Sequence, residues 1–231
     1  MLAVVVITYN VSSLLRKQVE LIKRFCKDPF EIIIIDNSSF AHEAKSIKYH
    51  AELTGCKYIK TLSSAQFGSE SHAFAANLSY NLLYKKYDQM LYLDHDCFPL
   101  KNFSVKATIK GKCLGGIAQE KTKTYFWPGC LMINNTMILP GMVDFSTSPG
   151  LDTGGGLHKV IERYGIGNCA VFDEVHVQNP GFSKSFYNFY SSINNGQFMH
   201  FINGSNWNQS AENEERLNSL LNVLETLTKE D

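Results

Sequence analysis

The chain of 231 residues lacks several features that would assign it quickly. It has no C-x-x-C pair: Cys26, Cys56, Cys97, Cys113, Cys130 and Cys169 are scattered, and no secretory leader is recognisable. They are expected to be reduced thiols in a cytoplasmic protein, not a disulfide framework or a zinc site. Without a leader, the N-x-Ser/Thr sequons at Asn134, Asn203 and Asn208 carry no weight. Neither charge is in excess, since Lys+Arg and Asp+Glu both number 22, so no nucleic-acid partner is implied. There is no apolar run of membrane length. Residues 2–7 are too few to span a bilayer and have no basic flank, so a buried strand is expected there. No G-x-G-x-x-G follows that run, which argues against a dinucleotide-dependent dehydrogenase. Internal repeats and low-complexity linkers are also missing.

What is present is alternation. With 44% hydrophobic and 19% charged residues the composition is that of an ordered fold. A β-branched strand at 3–9 precedes a helix over 14–27, with Ser12 and Ser13 as candidate caps and Leu14, Leu15, Val19, Ile22 and Phe25 as its apolar stripe. A strand at 30–35, a helix at 40–53, a strand at 57–62, a helix at 69–86 and a strand at 89–93 follow. Strand–helix alternation of this kind predicts a parallel sheet with right-handed crossovers, an α/β architecture with ligands at the carboxyl ends of the strands. Thr8-Tyr9-Asn10, Asp36-Asn37 and Asp94-His95-Asp96 would then share one sheet edge. After residue 100 the alternation breaks. Residues 113–119 and 125–134 read as strands, with an antiparallel arrangement open to them. A helix is expected over 152–164, and 173–210, rich in Asn, Ser and Gly, reads as irregular. Residues 1–210 are taken as one domain, 1–100 a nucleotide-binding half and 101–210 an acceptor-side half, with an amphipathic leucine-striped helix in 211–231.

Asp94-His95-Asp96 is the most informative triplet. If the strand continues through it, both carboxylates project from one face of the pleat. Two hard oxygen anions at a strand end suit Mn²⁺ or Mg²⁺, which can hold a diphosphate. His95 would point the other way. A D-x-D triplet alone is equally consistent with a solvated turn; the two other polar strand ends are what give it force.

These pieces resemble the glycosyltransferases of GT-A fold, in particular family 2. The resemblance rests on Val4-Val5-Val6-Ile7-Thr8-Tyr9-Asn10, Glu31 to Ser39 with Asp36-Asn37, Ala75-Ala76-Asn77 in a helix, and Leu91-Tyr92-Leu93-Asp94-His95-Asp96. It covers about residues 2–165. It implies a mostly parallel sheet flanked by helices with a small antiparallel portion on the acceptor side. It also implies that Thr8 and Tyr9 line the base pocket, with Asn10 and Asn77 on the nucleotide side, and that Asp36 accepts a hydrogen bond from the base. Asp94 would touch the ribose or a metal-bound water, and Asp96 would ligate the metal. A phenol ring offers a stacking face and a carboxylate can take a base N–H, so the chemistry agrees.

Asp152 is the candidate general base, placed at a helix start behind Ser148-Pro149-Gly150-Leu151; helix capping alone would also explain an aspartate there. Asp144, Asp173 and Glu174 stand in reserve. Trp127 and Gly129, within Tyr125 to Cys130, resemble the family's acceptor wall, and Trp127 could equally be core. His200, in the run from Met199 to Trp207, is the candidate third metal ligand; its Gly and Trp spacing differs from the family's usual form. The function expected is a metal-dependent transferase moving a sugar from a nucleoside diphosphate sugar, with UDP-sugar favoured, to a glycan or other hydroxyl acceptor, with inversion if Asp152 is the base. A sugar nucleotidyltransferase is the enzyme alternative, weakened by the lack of a glycine-rich basic loop after the first strand. A catalytically silent nucleotide-sugar or glycan-binding module is the non-enzyme alternative. The leucine stripe leaves docking on the chain itself, pairing with another subunit or contact with a membrane surface all open.

Overall fold

The computed structural model describes residues 1–61, 68–178, 189–202 and 212–229. Its centre is a seven-stranded sheet in the order β3-β2-β1-β4-β7-β6-β8. The strands are β1 (Leu2–Thr8), β2 (Phe30–Asp36), β3 (Lys57–Lys60), β4 (Gln89–Asp94), β6 (Leu114–Glu120), β7 (Thr124–Asn134) and β8 (Cys169–Val171). β1, β2, β3 and β4 run parallel, while β7 enters antiparallel to both β4 and β6. A second, four-stranded antiparallel sheet has the order β5-β11-β10-β9, built from β5 (Cys97–Pro99), β9 (Glu174–Gln178), β10 (Phe189–Ile193) and β11 (Phe198–Phe201). The helices are α1 (Leu15–Phe25), α2 (Ala41–Leu53), α3 (Ser69–Leu83), the short α4 (Val105–Thr108), α5 (His158–Tyr164) and α6 (Glu212–Lys229).

The period of two explains why β1 is apolar throughout. Val4 and Val6 face one core, with Ile32, Ile34, Leu91 and Leu93 and the helices α1, α2 and α6. Ala3, Val5 and Ile7 face the other, with Ile33, Ile35, Ala75, Ala76, Tyr80 and Val160 from α3 and α5. A parallel strand covered on both faces has no solvent side on which to keep polar residues. The order β3-β2-β1-β4 reverses direction at β1, so the β1/β4 boundary is the topological switch point where α/β sheets open a ligand crevice. Register aligns the strand ends there: Thr8 pairs with Asp36 and Ile7 with Asp94.

Several expectations need correction. The stretch 173–210 is not irregular where it is described, because β9, β10 and β11 form most of the second sheet. Its strands are short and half polar, with Ser191 fully buried, so neither period nor β-branched richness marked them. Residues 62, 179–188 and 203–211, which include Asn203, Asn208 and the Gly204 and Trp207 of the histidine run, lie outside the described residues. α1 starts after Leu14 with no side-chain cap, so Ser12 and Ser13 do not serve it. The helix expected from Asp152 begins at His158, after a tight turn at Gly155–Leu157. The stripe of α6 folds back onto its own chain. Leu220 and Leu224 are fully buried, Leu221, Val223 and Leu227 pack beside them, and Arg24 Nη1 donates to the Thr228 carbonyl at 2.8 Å. Among the described residues no helix is long and apolar enough to cross a membrane. All six cysteines are free thiols.

Candidate active site

β4 ends at Asp94 and the chain turns at His95 and Asp96 before β5. The two aspartates are therefore presented by a turn and not by one face of a continuing strand. The turn matters because β5 belongs to the second sheet, and its neighbour β11 pairs His200 with Cys97. Phe201 N–H donates to the Asp96 carbonyl at 2.9 Å. Two distant parts of the sequence are thereby stitched together, and His200 Nε2 lies 3.8 Å from Asp96 Oδ2.

Asp94 has a partner that the sequence did not announce. His72, in the first turn of α3, places Nε2 2.7 Å from Asp94 Oδ1, close as an ion pair though not aligned as a hydrogen bond. Burial disfavours the charge on both groups. For His72 the carboxylates of Asp94, Asp96 and Asp152 outweigh that penalty and raise its pKa above the ordinary imidazole value. For Asp94 the histidines His72, His95 and His200 outweigh it and hold the carboxyl below its usual range. A signal for His72 did exist. In a β–α–β crossover the helix starts at the same edge where the preceding strand ends, so first-turn polar residues of crossover helices belong on any list of site candidates.

Trp127, Asp152 and His200, picked from sequence, meet in one cavity of about 220 Å³, with Gln119, Lys121, Tyr125 and Glu174 completing its wall. Lys121 and Asp152 also border a wider depression with Ser69, Glu70, Thr147, Ser148, Gly150 and Leu151. The Trp127 ring lies 4.5 Å from the His200 imidazole, centroid to centroid. Its position comes from a break in the β6–β7 ladder. Gly116 pairs with Leu131 and Ala118 with Phe126, so residues 127–130 bulge opposite the single residue 117. Pro128 suits such a bulge because it has no N–H to leave unpaired. Gly129 is buried behind the indole and makes room for it.

Asp152 is exposed in the turn before Gly155–Leu157, and among the described residues its Oδ1 accepts only the adjacent Thr153 N–H, at 2.7 Å. It caps no helix, so the capping explanation for this aspartate is removed. The turn around it is tight: a Cβ on Gly154 would meet the Phe126 carbonyl at 2.5 Å, and one on Gly156 would meet Asp144 at 2.6 Å. Of the reserves, Asp144 is committed to Lys159 at 2.8 Å and to Ser146 N–H at 2.9 Å. Asp173 Oδ1 accepts Asn195 N–H at 2.9 Å in the β10–β11 turn. Glu174 alone shares the cavity with Asp152.

Thr8 is fully buried at the end of β1, and its Oγ1 has no hydrogen-bond partner among the described residues. Tyr9 is half-buried, its hydroxyl 3.4 Å from Ser39 Oγ. Asn10 adopts φ +51° and its side chain is consumed in stapling the next loop: Oδ1 accepts Ser39 N–H at 2.9 Å and Phe40 N–H at 3.0 Å, and Nδ2 donates to Ser39 Oγ. Asn77 is likewise occupied, accepting Phe145 N–H at 2.9 Å and so fixing the segment beside Asp144. Asp36 is fully buried, with Oδ1 accepting Ser38 N–H at 2.8 Å and Oδ2 accepting the Tyr58 hydroxyl at 2.7 Å.

Asp94, Asp96 and His200 are the donors able to close on a hard divalent cation, two carboxylates and one imidazole being a set that manganese accepts. Among the described residues no three such side chains converge as a finished cage: Asp96 lies beside His200, while Asp94 is turned toward His72.

Residues 3–110 match the profile of the family described as Glycosyl transferase family 2, just under half of the chain. Among solved structures the chain is similar to a mannosyltransferase from Pyrobaculum calidifontis, described in complex with GDP-Man and Mn²⁺. The identity is 14%, the TM-score 0.54, and the match covers 74% of this chain and 54% of that one. It is also similar to glucosyl-3-phosphoglycerate synthase from Mycobacterium tuberculosis, at 12% identity and TM-score 0.49, covering 74% and 68% of the two chains. This chain thus spans about half the length of the mannosyltransferase. No curated protein matches by sequence. The fold is GT-A, with a mostly parallel central sheet and a small antiparallel one, and the family match spans β1 to α4.

Proposed function

We propose that the chain is a metal-dependent glycosyltransferase that moves a sugar from a nucleoside diphosphate sugar to an acceptor hydroxyl. One observation carries the reading. Asp152 and His200, far apart in sequence, line one cavity with an aromatic wall, and Asp96, in the turn at the carboxyl end of β4, lies 3.8 Å from His200. A parallel sheet supplies a nucleotide site at that edge, and the added antiparallel sheet supplies the second wall that a two-substrate reaction needs.

Asp94, Asp96 and His200 would hold Mn²⁺, or Mg²⁺ in its place. When bound, the ion supplies neutralisation of the charge that develops on the departing diphosphate. The chain's own residues do the remainder. Asp152 removes the acceptor hydroxyl proton, its carboxylate having among the described residues no hydrogen-bond partner but the neighbouring Thr153 N–H. Attack from that side inverts the anomeric centre. Trp127 offers its ring face to the acceptor, and Tyr9 offers a stacking face to the base. Uridine is the base proposed, on Tyr9 at the sheet edge and on the resemblance to family 2. The division at about residue 100 into a donor half and an acceptor half is part of the same reading, as is a cytoplasmic location, which free thiols favour.

A thermal-shift screen of UDP, GDP, CDP and their sugars, each with Mn²⁺ and with EDTA, tests the reading. A ligand that binds only the native state raises the melting temperature by mass action. A shift with UDP-sugars that needs Mn²⁺ is expected. A larger shift with GDP would overturn uridine and leave the transferase standing; no shift with any nucleotide would overturn the reading as a whole.

A further inference from the structure

Gln18 is fully buried on α1, within the helix's otherwise apolar face of Leu15, Val19 and Ile22. A polar side chain there needs a reason, because a buried amide without partners is costly. Its reason is the aspartate turn. Nε2 donates one hydrogen to the Asp94 carbonyl at 2.7 Å and the other to the Cys97 carbonyl at 2.6 Å. Those two carbonyls bracket His95 and Asp96, so one amide nitrogen ties down both ends of the turn. The opposite amide orientation would set Oε1 against two carbonyl oxygens, so the assignment is fixed by chemistry. Oε1 itself is buried and has no hydrogen-bond partner among the described residues. An apolar residue of the same size would avoid that orphan acceptor, and the fold carries it nevertheless.

We propose that Gln18 is a positioning residue that fixes the spacing and aim of Asp94 and Asp96 toward a divalent ion and the diphosphate it holds. The proposal rests on the transferase reading of that pair. The turn is anchored from its other side by Phe201 N–H on the Asp96 carbonyl. Gln18 therefore adds an anchor from helix α1 to the strand anchor from β11. Outer groups that orient metal ligands commonly cost roughly 10–100-fold in metal affinity when removed.

The test compares Mn²⁺ affinity, and UDP affinity in saturating Mn²⁺, in wild type, Gln18→Met and Gln18→Glu. Methionine keeps the volume and loses both donors; glutamate keeps the shape and turns oxygens toward the carbonyls. Val19→Ala, one residue along the same helix, serves as a destabilised control. The expected result is Mn²⁺ binding weakened roughly 10–100-fold in Gln18→Met and further in Gln18→Glu, with Val19→Ala near wild type. Wild-type affinity in Gln18→Met, or an equal loss in Val19→Ala, would overturn the proposal and leave the transferase reading untouched. Absence of Mn²⁺ and UDP binding in the wild type would overturn both. A measurement on the unaltered protein does not depend on the variants folding. The Gln18 side-chain amide protons should exchange slowly and shift in the NMR spectrum when Mg²⁺ and UDP are added, and rapid exchange with no shift would overturn the proposal.

Discussion

A Cβ placed on Gly129 would fall inside the indole of Trp127. The ring therefore lies where it does because position 129 carries no side chain, and that placement sets it against His200 on the cavity wall. Gly129→Ala must push the indole or the β7 bulge aside. We expect a folded but less stable protein, by about 1–3 kcal/mol as for other overpacked sites, with altered Trp127 fluorescence. Acceptor KM should rise and donor affinity should hold. Unchanged fluorescence and acceptor KM would show that the bulge absorbs the methyl group and that Gly129 does not set the ring.

Asp152→Asn keeps size and the bond from Thr153 N–H but cannot take a proton. Transfer should fall by roughly 10²-fold or more, with nucleotide affinity close to wild type. Near-normal turnover would move the search to Glu174, the other carboxylate of the same cavity.

Asp144 gives a pH dependence with a definite sign. Burial alone would raise its pKa, but the Lys159 ammonium and the Ser146 hydrogen bonds outweigh burial and push it down to about 2. A carboxyl whose folded pKa is below its unfolded value stabilises the fold above about pH 4, and the contribution fades as pH falls from there toward 2. Lys159 is half exposed, so solvent screening leaves about 1 kcal/mol of the effect. Urea unfolding should show Asp144→Asn less stable than wild type near neutral pH, with the gap closing below about pH 3. A gap of constant size across that range would contradict the ion-pair account.

The buried stripe of α6 makes the C-terminal helix part of the core. Leu224 is fully buried, and Leu224→Ala should cost about 2–4 kcal/mol in urea unfolding, as for leucine truncation in other cores. Wild-type protein should not co-sediment with anionic vesicles through this stripe. A cost under about 0.5 kcal/mol would mean that the helix is docked only loosely.

The parallel half of the fold was legible because each apolar run ends at a polar cluster, a pattern that burial on both faces enforces. The second sheet was not, since β9, β10 and β11 are short, one-sided and contain buried serine. The site divides the same way. Asp94, Asp96, Trp127, Asp152 and His200 carried chemistry in their residue types, and the structure brings Trp127, Asp152 and His200 to one cavity, with Asp96 beside His200. The partners of Asn10 and Asn77 were not legible, because side-chain hydrogen bonds to segments 29 to 69 residues away leave no local trace, and the room Gly129 leaves for Trp127 depends on a bulge set by pairing with β6. His72 and Gln18 were missed for a related reason: each sits in or beside the first turn of a crossover helix and acts on a strand end that follows much later in the chain.

The central claim is that the Asp94/Asp96 turn makes nucleotide binding depend on a divalent ion. Titration calorimetry of UDP into the wild-type protein, in Mn²⁺ and then in EDTA, tests it most directly, with Asp96→Ala alongside. The account predicts clear binding in Mn²⁺, a loss of at least about tenfold in EDTA, and an Asp96→Ala protein that is folded yet indifferent to the ion. Equal UDP affinity with and without the ion, in a wild-type protein that binds UDP, would contradict it.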